Sequence, residues 1–219
     1  MCGITGFFGF EDKQLLKKMT DTLHHRGPDQ KGLFSSKDVS LGCARLSILD
    51  LERGQQPIFN ENKDIVLVFN GEIYNYKQLR QELEEKGHKF YSETDSETIV
   101  HCYEQYGLEF VKKLDGMFAF AIWDALKKRL VIARDRTGIK PLYYFLLKEK
   151  LFFASELKSL LQYKEFKPTV NYSELSRFLS TRVSSVSGSL ISGVKKLPPA
   201  NLLVSENGQL SLKGYWQPR

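Results

Sequence analysis

Hydrophobic residues along this chain fall mostly into short β-compatible runs rather than long helical stripes. Residues 4–8 are apolar, and Ile65-Val66-Leu67-Val68-Phe69 is a continuous run of the kind carried by a strand buried on both faces. Residues 117–123 and 129–133 predict two strands joined by a turn over 124–128. The pattern repeats in 142–147 and 150–154. A third hairpin is expected from 202–204 and 210–212, which flank Asn207-Gly208, a strong short hairpin signal. Helical spacing is rarer. Residues 12–23 put Leu15, Leu16, Met19 and Leu23 on one face, and 76–86 carry Leu79 and Leu83 ahead of a stop at Gly87. Thr94-Asp95-Ser96-Glu97 matches a capping box before Ile99, Val100 and Tyr103. Residues 156–161 and 173–179 predict two shorter helices. Hairpin-paired strands with helices between them predict an α+β fold with antiparallel sheets. The Ser-rich stretch 184–192 is expected to be a loop. No linker interrupts 1–219, so one domain is expected, with 168–219 as a looser C-terminal portion.

Composition narrows the function classes. The 219 residues are 42% hydrophobic and 26% charged, ordinary for a globular chain. No apolar run approaches the ~18 residues of a membrane span, so no membrane partner is expected. The net charge of +6 comes from scattered basic residues mixed with acids, not a stripe interleaved with aromatics, so nucleic acid is not expected either. Cys2, Cys43 and Cys102 show no CxxC spacing, and no secretory pattern opens the chain; three thiols in a cytoplasmic protein are expected. His24, His25, His88 and His101 show no partner at metal-ligand spacing, so no metal is expected.

Cys2 is the first candidate for chemistry. Removal of Met1 would leave one residue bearing both a thiol and a free α-amine, which titrate near ~8.5 and ~8, so the amine can serve as base for its own thiol. The alternative is a buried apolar cysteine on the first strand. Around it stand segments rich in turn formers and charge: His25-Arg26-Gly27-Pro28-Asp29, Arg45-Leu46-Ser47-Ile48, Asn70-Gly71-Glu72-Ile73-Tyr74-Asn75 and the Thr94–Glu97 helix start. They offer a thiol, a guanidinium, a side-chain amide beside a glycine N–H, and carboxylates. Those parts suit acyl transfer on a small zwitterion, with Arg gripping an α-carboxylate, Asp an α-ammonium, and Asn plus Gly N–H an oxyanion. Taken singly, each has a bland alternative: Asn70-Gly71 as a hairpin turn, Asp95 as a helix cap, Arg45 as a surface ion pair.

These segments, with 114–124 and Arg134-Asp135-Arg136-Thr137-Gly138-Ile139-Lys140-Pro141-Leu142-Tyr143, occur in the order found in one family. The chain resembles the N-terminal glutaminase domain of class II glutamine amidotransferases, in the asparagine synthetase branch. The resemblance implies an N-terminal-nucleophile hydrolase fold, a four-layer αββα sandwich with two antiparallel sheets. It implies that Cys2 is the nucleophile and its α-amine the base. Asn70 and Gly71 would form the oxyanion hole, Arg45 would hold the α-carboxylate of L-glutamine, and Asp95 with Glu72 its amine end. The backbone near Ile48 and Leu49 would line the pocket. Cys43 departs from the family, standing where relatives often carry His. The resemblance assigns no cofactor to this chain. ATP and Mg would serve a synthetase domain, supplied in cis or in trans, that aminates aspartate; no Ser-Gly-Gly-x-Asp-Ser phosphate loop occurs within 1–219. Other implied possibilities are a different acceptor, a silent regulatory module on the same fold, and a homodimer.

Overall fold

The first strand, β1 (Gly3–Phe8), buries all but its last residue because it lies in mid-sheet and has packing on both faces. The computed structural model describes residues 1–218. After β1 the chain forms α1 (Lys13–Asp21), a 3-10 turn His24–Arg26, then β2 (Gln30–Ser35), β3 (Val39–Arg45), the two-residue β4 (Ile58–Phe59) and β5 (Ile65–Ile73). Helices α2 (Tyr76–Glu85) and α3 (Asp95–Tyr106) follow. Next come β6 (Gly116–Asp124), β7 (Arg129–Arg134), β8 (Tyr143–Leu147), β9 (Lys150–Ala154), α4 (Leu157–Leu160), α5 (Tyr172–Thr181), β10 (Lys195–Lys196), β11 (Asn201–Glu206) and β12 (Gln209–Gly214). Two six-stranded antiparallel sheets result, ordered β10-β8-β9-β1-β3-β2 and β12-β11-β7-β6-β5-β4.

Strand alternation sorts the core into three layers. On β5, Val66 and Val68 face the other sheet and join Ile4, Leu41, Cys43, Ala119, Ala121 and Ile132 between the sheets. Ile65, Leu67 and Phe69 face the opposite way and pack with Leu79, Leu83, Ile99 and Tyr103 of α2 and α3. On the outer side of the first sheet, Phe7, Phe145 and Phe152 pack with Leu15, Leu16 and Met19 of α1 and Leu160 of α4. The expected four layers of helix, sheet, sheet and helix are therefore present, and the three hairpins form where the pattern puts them.

Several local expectations need correction. Asn70-Gly71 is no turn: β5 runs on to Ile73, with Asn70 opposite Ala119 and Gly71 opposite Phe118. The capping box does not close. Thr94 caps α3 with its backbone only, and the Glu97 carboxylate turns instead to Tyr91 N, Ser92 N and Ser92 Oγ at 2.8, 2.8 and 2.5 Å. Asp12 and Asn171 do cap their helices, accepting from Leu15 N and Glu174 N. In the C-terminal portion α5 buries none of its residues, whereas β11 pairs with β7 and buries Leu202, Leu203 and Val204.

Candidate active site

At one end of the sandwich the start of β1, the end of β3, the end of β5 and the head of α3 converge on a cleft of about 320 Å³, at the small end of ligand pockets. Every sequence-predicted site residue lines it: Cys2, Arg45, Ile48, Leu49, Asn70, Gly71, Glu72 and Asp95. Four elements distant in sequence thus supply one set of side chains.

Cys2 is half-buried at the head of β1, its Sγ 3.7 Å from the Leu46 carbonyl. Arg26 Nε donates to the Cys2 carbonyl at 2.9 Å, and Arg26 Nη1 pairs with Glu156 at 2.9 Å. These bonds give the His25–Asp29 segment a role that its sequence alone leaves open. Arg26 fixes the nucleophile's backbone, and Asp29 accepts from Ser47 N. Gly27 packs where a Cβ would lie 2.2 Å from the Ala44 carbonyl. Cys43, fully buried on β3, belongs to the core cluster against which Cys2 packs. The neighbouring Cys43 thiol draws the Cys2 thiol down to about 6, and the Arg45 charge adds to the effect; Cys2 and burial together push Cys43 up. The departure at Cys43 thus places a second thiol in the core beside the nucleophile.

Opposite Cys2, β5 presents an amide and a free edge. Asn70 is 1% exposed and shares the face of Val66 and Val68, towards the sheet that carries Cys2. Among the described residues its Nδ2, which is buried, has no hydrogen-bond partner. Phe69 N donates to Gln56 Oε1 at 2.7 Å and Ile73 N to Asp95 Oδ2 at 2.8 Å, both on the edge away from β6. Alternation puts Gly71 N–H on that same edge, between them. Its partner Phe118 confirms the phase, since Phe118 N and O bond Asp135 rather than β5. A Cβ on Gly71 would lie 2.2 Å from the Met117 carbonyl. Two donors, one side-chain and one backbone, therefore face the cleft.

Arg45 is no surface residue. It is 5% exposed, with Nη1 donating to Gln30 at 2.7 Å and Nη2 to the Leu49 and Asp50 carbonyls at 2.7 and 3.0 Å. Three bonds leave two of its five N–H donors for a ligand. Ile48 and Leu49 line the cleft from the loop these bonds hold, and both side chains are exposed. Asp95 opens α3 and is 7% exposed. Burial pushes its carboxyl up to about 6 from an ordinary 3.8, with Glu72 adding negative potential. An ionised Asp95 here wants a cation.

Sequence reasoning missed Gln30, Gln56 and Gly54. Gln56 bonds both N–H and C=O of Phe69, and Gly54 packs where a Cβ would meet Arg45 Nη2 at 2.5 Å. Gly54 and Gln56 are positioning residues in the irregular stretch between β3 and β4, and Gln30 opens β2 opposite Arg45; nothing in their local pattern marks them out. Two of the histidines, which show no ligand spacing along the chain, do find such partners in space. His88 and His101 converge with Glu61 and Glu104, outside this cleft. The one sequence signal was His101 and Glu104 three apart on a helix.

The family model of the glutamine amidotransferase domain matches residues 1–216. The chain is 36% identical over 224 residues to glutamine-hydrolysing asparagine synthetase 3 of Bacillus subtilis, covering 99% of this chain and 36% of that protein. It is 45% identical over 166 residues to glutamine-hydrolysing asparagine synthetase 2 of Oryza sativa subsp. japonica, covering 73% of this chain and 28% of that one. The chain thus spans about a third of the length of such relatives. Among solved structures, the Bacillus subtilis glutamine phosphoribosylpyrophosphate amidotransferase superposes with a TM-score of 0.70 at 18% identity, over 99% of this chain and 50% of the other. An allosteric regulatory enzyme of purine biosynthesis gives 0.75 at 18%, with the same coverage. At that identity the likeness carries the fold alone.

Proposed function

Since the chain belongs to the glutamine amidotransferase domain family, we propose that it hydrolyses the side-chain amide of L-glutamine to glutamate and ammonia through a thioester on Cys2. The observation that carries this reading is the Asn70 Nδ2, buried without a partner beside the outward Gly71 N–H. A buried donor left unpaired costs about 1–3 kcal/mol. A developing oxyanion would satisfy both donors at once.

The geometry supports the following steps. Arg45, with two donors to spare, takes the α-carboxylate, while Asp95 and Glu72 take the α-ammonium. The Cys2 thiolate attacks the side-chain amide carbon, and the carbonyl oxygen moves between Asn70 Nδ2 and Gly71 N–H. Collapse expels ammonia once its nitrogen has been protonated, and water then cleaves the thioester to release glutamate and the thiol. The Cys2 α-amine, free only after Met1 is removed, is the group positioned to shuttle that proton. Met1 itself lines the cleft, its Sδ 3.4 Å from Lys140 Nζ, so the untrimmed residue occupies substrate space.

The ammonia would pass to an ATP- and Mg-dependent synthetase part that amidates aspartate. The names of the relatives support that acceptor. Cys2→Ala tests the core of the proposal: glutamate release should fall at least a thousandfold with the melting temperature unchanged. Residual turnover above that level would exclude the covalent route.

A further inference from the structure

Away from the cleft, four side chains from three segments turn polar atoms towards one point. α3 contributes His101 and Glu104, the loop after α2 contributes His88, and the turn before β5 contributes Glu61. One ligand atom from each lies within 4.8 Å of the others. His101 Nδ1 is 3.5 Å from Glu104 Oε2 and 3.7 Å from Glu61 Oε2, and His88 Nδ1 is 3.4 Å from Glu104 Oε2. Ligand atoms 2.0–2.2 Å from a tetrahedral ion stand roughly 3.3–3.6 Å apart. The observed spacing is near that of a coordination shell.

The outer atom of each group is already engaged. His101, with a side chain 1% exposed, sets Nε2 3.4 Å from Glu97 Oε1. With Nε2 engaged by that carboxylate, the ring turns Nδ1 towards the cluster. Among the described residues the buried Nδ1 has no hydrogen-bond partner, and neither has Glu104 Oε2. Glu104 Oε1 accepts from Asn60 Nδ2 at 3.2 Å, Glu61 Oε1 from Lys89 N at 2.9 Å, and His88 Nε2 meets Gln105 Oε1 at 3.1 Å. Carboxylate or amide partners that fix the far side of each ligand are the usual outer shell of a metal site. A neighbouring open cleft of about 550 Å³, lined by Glu61, His88 and Glu104, gives access from solvent.

We propose that Glu61, His88, His101 and Glu104 form a binding site for Zn²⁺ or a similar first-row divalent ion, bracing α3 against the turns before β5 and after α2. Two imidazoles with two carboxylates suit zinc, cobalt or nickel rather than calcium or magnesium. The competing occupant is a shared proton. It would need short N–H···O contacts, whereas the inward atoms of His101 and Glu104 make none. An ion about 2 Å from each atom fills the same space with four bonds.

The test uses the whole 219-residue chain in a Cys2→Ser background, so that the active-site thiol does not compete. Chelator-stripped protein is titrated calorimetrically with Zn²⁺, and Co²⁺ is added as a spectroscopic probe. One equivalent of Zn²⁺ should bind with Kd at or below micromolar and raise the melting temperature. Co²⁺ should give visible tetrahedral bands without sulfur charge-transfer absorption. His88→Gln and Glu61→Gln, both at partly exposed side chains, should each weaken Zn²⁺ at least tenfold while the metal-free melting temperature holds. The proposal fails if no saturable binding occurs, if the variant carrying both changes binds Zn²⁺ undiminished, or if Co²⁺ reports thiolate ligands.

Discussion

Asp95 ties glutamine affinity to pH in a way that can be worked from its burial. Its carboxyl sits at about 6 in the cleft, raised mainly by burial from 3.8. At 1.36 kcal/mol per unit, that distance is worth about 3 kcal/mol when fully expressed. The folded chain binds this proton more tightly than the unfolded chain, so the destabilisation is present above pH ~6 and is relieved as pH falls through it. Between pH 7.5 and 5 this one group should add about 1.4 kcal/mol to stability. Ligand binding runs the other way. The α-ammonium of glutamine needs the carboxylate, and at pH 5 about one molecule in eleven still has it ionised. Apparent affinity should therefore fall about tenfold over the same interval, an opposition of stability and binding from one proton. The assay is calorimetric binding of L-glutamine to the Cys2→Ala variant from pH 7.5 to 5, paired with urea unfolding at each pH. In Asp95→Asn both slopes should flatten, and binding should be weak throughout. A pH-independent affinity in the parent, or an unchanged slope in Asp95→Asn, would refute the assignment of Asp95 to the ammonium.

Other outcomes follow from the same geometry. Asn70→Ala should lower kcat by roughly 10²–10³ with KM little changed, because its orphan Nδ2 meets charge that exists only in the transition state; an unaltered kcat in steady-state assays would remove it from the oxyanion hole. Arg45→Lys should raise KM for glutamine at least tenfold and leave kcat within a few-fold, since a lysine cannot hold Gln30, Leu49 and Asp50 and a carboxylate together; a change confined to kcat would contradict the carboxylate role. Protein shown by intact mass to retain Met1 should be nearly inactive, and aminopeptidase trimming should restore turnover, because an amide nitrogen has no basic lone pair; full activity with Met1 attached would eliminate the α-amine as base.

How much of this was legible in the sequence depends on what each residue packs against. β5, β6 and β7 carry large apolar side chains on both faces, so their runs are readable. β3 is buried along its whole length yet reads Val-Ser-Leu-Gly-Cys-Ala-Arg, and the pattern gave no strand there. The reason is space: a Cβ on Gly42 would lie 2.2 Å from Thr20 Oγ1 of α1, so α1 packs on the strand only if the residues beneath it are small. With small residues on that face, the only period left is Val39, Leu41 and Cys43 at alternate positions, a run too short to stand out. The end of β5 escaped for a related reason. Asn70, Gly71 and Glu72 have poor strand propensity, and they stay extended because β6 pairs with them through Ile73.

The same logic separates the two polar sites. Cleft residues sit inside short segments whose glycines and charges stand out locally. The histidine cluster has no such segment, because its members are spread over more than forty positions and only His101 and Glu104 share a helix face. Glu97 shows the ambiguity best. At the third position of α3 it satisfies the capping-box pattern, but Tyr91 and Ser92 lie close enough to offer two N–H donors and a hydroxyl, against the single backbone donor at Thr94. Three donors outweigh one for a fully buried carboxylate. Turned that way, Glu97 also reaches His101 on the next turn, a choice between competing hydrogen bonds that only the assembled tertiary structure decides.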